Sequence, residues 1–155
     1  LDKELKSVTV YSDGSALKDP KGGFFGGAGA VIIYNGKEKH ISVSIEGGTN
    51  NIAELSAPLF ALQALKEPCK VEIITDSKYV IQCLTVWIDG WKRKGWMTQN
   101  KGPVKNKDLI QALDKECDKH EVSWKWVKGH SGDYYNNIAD ELAVMASTKL
   151  KELEV

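Results

Sequence analysis

The chain has no net charge: 21 lysines and arginines balance 21 aspartates and glutamates, so no overall field steers it toward nucleic acid, a membrane or an acidic partner. Cysteine is scarce. Cys69, Cys83 and Cys117 are odd in number, widely spaced and without a paired motif, which excludes a disulfide framework and a thiolate zinc site and fits inert thiols in a reduced interior. No apolar run approaches the roughly 20 residues needed to cross a bilayer. Leu1 to Ser7 is too charged for a signal peptide, so the expected location is cytoplasmic. Internal repeats, linkers and low-complexity tracts are absent. The 155 residues are therefore read as one domain, 1–155 with a core of about 7–148, able to bury roughly 70% of the surface of its unfolded chain.

What is present is patterned. From Lys92 to Lys107 there are six basic residues (Lys92, Arg93, Lys94, Lys101, Lys105, Lys107) and no acid, with Trp87, Trp91 and Trp96 interleaved or adjacent. That is a local nucleic-acid footprint inside a neutral chain. Alternation around Val8 to Asp13, an apolar run from Ala28 to Tyr34, and Ile41, Val43 and Ile45 on one face predict three strands, with Asn35-Gly36 as a hairpin turn between the second and third. The glycines at 22, 23, 26, 27 and 29 read as a flexible first connection with a bulge where the next strand starts. Helical periodicity follows from Thr49 or Asn50 to about Lys66, then a strand from Val71 to Thr75 and helices from Ser77 to about Leu84 and Trp87 to Lys94. A helix from Asn106 to about Lys119, a strand from Val122 to Val127 and a helix from about Tyr135 to Leu150 complete a mixed α/β sheet covered by helices.

Four acids stand in short signatures: Asp13 in Tyr-Ser-Asp-Gly-Ser, Glu54 in Asn-Asn-Ile-Ala-Glu-Leu, Asp76 in Thr-Asp-Ser and Asp140 in Asn-Ile-Ala-Asp-Glu-Leu. Asp13 and Asp76 directly follow apolar strands, where α/β sheets gather their sites. Glu54 shares a helical stripe with Pro58, Ala61 and Leu65, which sets a carboxylate near the core at a cost unless it is compensated. Pro58 cannot bond the carbonyl of residue 54, so a kink there is expected to aim Glu54. Asp140 lies among the small residues Ala139, Ala143 and Ser147, away from Ile138, Leu142 and Met145. Singly, each has a plain account: Asp76 as a helix start, Glu54 as an acid favoured by the helix dipole, Asp140 as a surface charge. Together they would make a pocket whose repulsion calls for divalent cations or protonation.

Taken in order, these motifs resemble type 1 ribonuclease H. The likeness runs from Val8 to about Ala146 and includes Asp-Gly-Ser at 13–15, Thr-Asn-Asn-x-x-Glu-Leu at 49–55, Thr-Asp-Ser-x-Tyr-Val at 75–80, Trp-Ile-x-x-Trp-Lys at 87–92, Trp-Val-Lys-Gly-His at 126–130 and Asp-Glu-Leu-Ala at 140–143. The resemblance implies a five-stranded mixed sheet, three antiparallel strands then two parallel, flanked by helices. It implies endonucleolytic cleavage of the RNA strand of RNA–DNA hybrids, giving 3′-hydroxyl and 5′-phosphate ends. Asp13, Glu54, Asp76 and Asp140 would hold two magnesium ions, with manganese as a substitute, and His130 would assist proton transfer or product release. Thr49, Asn50, Asn51, Asn106, Trp87, Trp91, Lys92 and Lys94 would contact the hybrid; at least one of the tryptophans is expected to be mainly structural. A monomer without a separate hybrid-binding domain is expected. Residues 18–27 and Gly47-Gly48 depart from the family pattern, and no contact is carried over to the 18–27 loop. The alternatives are a ribonuclease H domain of a reverse transcriptase and a non-catalytic nucleic-acid-binding module.

Overall fold

The computed structural model describes residues 4–129 and 132–153. Its sheet has the strand order β3-β2-β1-β4-β5, formed by β1 (Lys6–Lys18), β2 (Phe24–Tyr34), β3 (Lys37–Glu46), β4 (Cys69–Thr75) and β5 (Glu121–Trp126). The first three strands pair antiparallel, while β4 joins β1 and β5 joins β4 in parallel. This is the expected five-stranded mixed sheet. Asn35 and Gly36 both have positive φ, 54° and 78°, the primed turn that Asn-Gly permits, and they set the two-residue β2–β3 hairpin.

One face of the sheet carries α1 (Asn50–Gln63), which in turn packs on α4 (Lys107–Cys117). Val8, Val10, Ala30, Ile32, Val71 and Ile73 of the sheet meet Leu55, Leu59 and Leu62 of α1 and Ile110 and Leu113 of α4 in the main core. Each fully buried leucine or isoleucine there contributes roughly 1.5–3 kcal/mol. Cys83 and Cys117 also sit in or against this core, and burial pushes their thiols up to about 11 and about 12, so both are inert.

The opposite face carries α5 (Tyr134–Leu153), and here one sequence expectation changes. The glycines at 26, 27 and 29 do not belong to a flexible connection; they lie inside β2. A Cβ on Gly29 would land on the Ala139 carbonyl oxygen and 2.5 Å from the Ala143 nitrogen, and one on Gly27 would meet the Ala143 carbonyl oxygen and lie 2.6 Å from the Ser147 nitrogen. The helix backbone rests on the bare strand. Its packed side is accordingly the small one, with Asn136, Ala139, Ala143, Ala146 and Ser147 buried, while Met145 is 57% exposed. Ser42 and Ser44 of β3 donate to the Leu142 and Ala146 carbonyls at 2.7 Å and fasten the helix.

The two helices expected at 77–84 and 87–94 form one continuous path: α2 (Lys78–Gln82), a π-helical turn (Cys83–Trp87) and α3 (Ile88–Arg93). The π turn brings the buried residues Cys83 and Ile88, which ordinary α spacing would set apart, onto one side. Helix α1 runs unbroken across the buried Pro58. Among the described residues, no helix is long and apolar enough to cross a membrane.

Candidate active site

The sequence predicts Asp13 at a strand end, but β1 continues past it to Lys18. What ends there is the pairing with β4, whose last rung is Ser12 with Thr75. Beyond that rung β1 is paired with β2 alone. Gly14, next to Asp13, explains the Asp-Gly motif: a Cβ there would lie 2.5 Å from the Glu54 nitrogen and 2.6 Å from the Ala53 carbonyl carbon. The missing side chain lets α1 descend onto β1 and brings Glu54 alongside Asp13. Asp13 itself registers with Gly29, the residue on which α5 rests, and so α5 delivers Asp140 from the other face.

Asp76 follows β4 directly, on a tight turn. The Thr75 hydroxyl accepts from the Ser77 N–H at 3.0 Å, and the Ser77 hydroxyl caps α2 by accepting from Val80 N–H at 3.2 Å. The plain account of Asp76 as the helix cap is thus excluded, since Ser77 fills that place. Glu54 is not at the start of its helix either; Thr49 caps α1, accepting from Ile52 N–H at 3.2 Å.

One carboxylate oxygen from each of Asp13, Glu54 and Asp76 lies within 4.8 Å of the others, the only such cluster among the described residues. Asp140 hydrogen-bonds with the Asp13 carboxyl but stands outside that three-acid set. Burial, the charge of Asp76 and the bond with Asp140 push the Asp13 carboxyl from 3.8 up to about 8, against the pull of the Gly14 N–H at 2.8 Å. Burial likewise raises Glu54, and Asp76 adds to it; the Ser77 hydroxyl and the Asn50 amide, 3.4 Å away, act in the opposite sense. Among the described residues neither Asp13 nor Glu54 has an ion-pair partner. Crowded, partly buried carboxylate oxygens of this kind form a site suited to divalent metal.

The remaining predicted residues are dispersed around this centre. Asn50 is exposed and touches Glu54, and Asn51 is half-buried one residue on. Asn106, in a left-handed conformation at φ 62°, donates its amide to the Tyr79 hydroxyl at 3.1 Å. Tyr79, Trp87, Trp91 and Trp96 form a chain of rings with centroids 6.4, 5.9 and 6.0 Å apart. Trp91 and Trp96 pack against the core, whereas Trp87 is 40% exposed. Lys94 is exposed; Lys92 is held by Asp114 of α4 at 2.9 Å. His130 lies outside the described residues.

Sequence reasoning missed two contacts. Trp126, opposite Thr75 in the ladder, donates its indole N–H to the Asp76 carbonyl at 3.0 Å. Gly129 passes so close to Asp76 that a Cβ would lie 2.7 Å from its Oδ2. The one available signal was that Trp-Val-Lys-Gly stands at the end of the strand next to β4.

Comparison with known proteins agrees with this geometry. The RNase H family model matches residues 5–148. The chain is 49% identical over 144 residues to Ribonuclease H of Shewanella sp. (strain ANA-3), covering 93% of this chain and 89% of that one. It is 52% identical over 139 residues to Ribonuclease H of Hahella chejuensis (strain KCTC 2396), covering 90% and 92%. Among solved structures, LC9-RNase H1, a type 1 RNase H with the type 2 active-site motif, superposes with a TM-score of 0.86 at 31% identity over 96% of this chain and 75% of that chain. The PFV RNase H domain gives a TM-score of 0.77 at 27% identity, covering 95% and 97%. The chain belongs to the ribonuclease H family. It is an enzyme, a ribonuclease H.

Proposed function

We propose that this chain cleaves the RNA strand of RNA–DNA hybrids at the Asp13–Glu54–Asp76–Asp140 centre by metal-dependent phosphodiester hydrolysis, leaving 3′-hydroxyl and 5′-phosphate ends. One observation carries the reading: the buried Asp13 has a carboxylate oxygen within 4.8 Å of those of Glu54 and Asp76, a crowding that, with burial, pushes its carboxyl up to about 8. An all-carboxylate donor set suits magnesium, with manganese as a substitute. Two ions bound there would supply Lewis-acid activation of water and neutralisation of charge at the scissile phosphate.

The protein groups divide the remaining work. Asp13, beside Asp76 and hydrogen-bonded with Asp140, would hold the ions together with Glu54, Asp76 and Asp140. The Ser77 hydroxyl favours the ionised, ligand form of Glu54. Glu54 and the exposed Asn50 amide beside it would accept and donate to an RNA 2′-hydroxyl, a group absent from DNA. Asn51 would read the same minor groove. Thr49, Asn106, Trp87, Trp91, Lys92 and Lys94 would hold the DNA strand through phosphate contacts and aromatic surface. His130 would move a proton or help release the product. The enzyme is read as a cytoplasmic monomer with a ribonuclease H domain over 1–155 and its core at about 7–148, in keeping with its free cysteines.

A labelled RNA strand presented as hybrid, as double-stranded RNA and alone, with Mg²⁺ or with chelator, tests the proposal. Cleavage confined to the hybrid, dependent on metal and abolished in Asp13→Asn supports it. Activity that persists in that variant overturns the site, and cleavage of RNA duplexes at equal rate overturns the substrate.

A further inference from the structure

Asp76 is the one member of the three-acid cluster on a turn, between β4 and α2, rather than within a helix or strand. A ligand carried on a turn is aimed only as well as the turn is held. Part of the hold is local, from Thr75 and Ser77. The rest comes from the end of β5. Val127 N–H donates to the Thr75 carbonyl at 3.0 Å, extending the ladder by one rung. The indole N–H of Trp126 donates to the carbonyl of Asp76 itself, also at 3.0 Å. On the far side of the turn, Lys78 lays its ammonium 4.6 Å from the centroid of the same indole. One side chain thus grips the turn from both ends: β5 to the Asp76 backbone, and the first turn of α2 to the ring face.

Core packing does not account for this tryptophan. Trp126 is 44% exposed, whereas Trp124, two residues earlier in the strand, packs against the core. Its specific contacts fall on Asp76 and Lys78. Gly129, three residues further on, closes against the Asp76 carboxylate, so the same stretch of chain constrains both the backbone and the side chain of this acid.

We propose that Trp126 is a positioning residue for Asp76, fixing the β4–α2 turn so that the carboxylate is aimed into the cluster before metal arrives. Its contribution is to metal affinity and not to hybrid binding. The inference rests on the metal-dependent reading of the site.

The test is Mn²⁺ binding to the chain without nucleic acid, by calorimetry, in wild type and Trp126→Phe, which keeps an aromatic ring but loses the donor. Removing one neutral hydrogen bond should weaken Mn²⁺ binding about three- to tenfold. In the cleavage assay the variant should need correspondingly more Mg²⁺, recover kcat at saturating Mg²⁺ and keep its KM for hybrid within about twofold. A merely structural role would not produce that split. Should the variant fail to fold, the wild-type chain decides: the Trp126 indole N–H resonance should shift, and its hydrogen exchange slow, when Mg²⁺ is added. Unchanged Mn²⁺ affinity in the variant, or an indole signal indifferent to Mg²⁺, overturns the inference and leaves the proposed function standing. Absence of Mn²⁺ binding by the wild type overturns the metal reading and this inference with it.

Discussion

Replacing Asp13 with asparagine should abolish cleavage and yet, in the absence of metal, stabilise the fold by an amount that grows with pH. The Asp13 carboxyl titrates at about 8 in the folded chain against 3.8 for an ordinary aspartate. Between those values the folded state keeps a proton that the unfolded state has released. The folded state therefore binds more protons, and stability falls as pH rises, by at most about 1.4 kcal/mol per pH unit. Below pH 4 both states are protonated and the effect vanishes; above pH 8 both are ionised and it levels off. At pH 7 the ceiling is about 4 kcal/mol. Asparagine cannot ionise, keeps the shape and retains an oxygen for the Gly14 N–H. In a chain of this length 1 kcal/mol moves Tm by about 2–4 °C, so the variant should melt up to roughly 8–16 °C higher than wild type at pH 7 in chelator. At pH 5 the difference should shrink to less than half of that. Added Mg²⁺ should narrow the gap by binding the wild type alone. Thermal or urea unfolding of both proteins from pH 5 to 8 checks this. A stability difference that does not change with pH, or a variant less stable than wild type at pH 7, would refute the reasoning.

Gly29→Ala should destabilise by roughly 2–3 kcal/mol or more, because the new methyl displaces the α5 backbone at Ala139 and Ala143. Activity should fall with it, since α5 carries Asp140; Gly90→Ala, whose methyl would meet nothing nearer than Arg93 at 3.9 Å, is the control and should keep or raise Tm in the same melt. Replacing Lys92, Arg93 and Lys94 together with alanine should weaken hybrid binding and reduce the slope of log K against log salt by about 0.9 for each phosphate no longer neutralised. Lys92 is already paired with Asp114, so Lys94→Ala alone should change that slope more than Lys92→Ala; equal slopes in all variants would count against this segment as a phosphate-binding arm.

The strands, the hairpin and most helix limits are legible in the sequence because they rest on local chemistry: alternation, Asn-Gly, and Thr49 and Ser77 at positions that can cap. What stays hidden is chemistry that depends on a partner far along the chain. The β2 glycines carry no apolar alternation where α5 lies closest, since the face they leave empty is filled by helix backbone rather than by side chains. A period-2 reading therefore takes a tightly packed strand for a loose loop. The same fact makes the packed side of α5 the small one, with Ala139, Ala143 and Ala146 buried to fit a bare strand while Val144 and Met145 are exposed. The helical wheel puts Asp140 among the small residues, but only the glycine seat in β2 shows that this side is the packed one and so faces Asp13.

The mid-strand place of Asp13 and the glycine seat of α5 bear on one another. A carboxylate in mid-strand can be reached from both faces of the sheet only if each overlying helix comes unusually close. Gly14 allows α1 to approach from one side, and Gly29, opposite Asp13, allows α5 from the other. The acids thus converge because side chains are missing around Asp13 as much as because carboxylates are present. The Asp-Gly pair visible in the sequence is one half of that arrangement; the other half is Gly29, on the neighbouring strand, whose partner α5 begins only at Tyr134. The centre should therefore tolerate little crowding, and a methyl group at Gly29, a residue without any chemistry of its own, is expected to cost activity as well as stability.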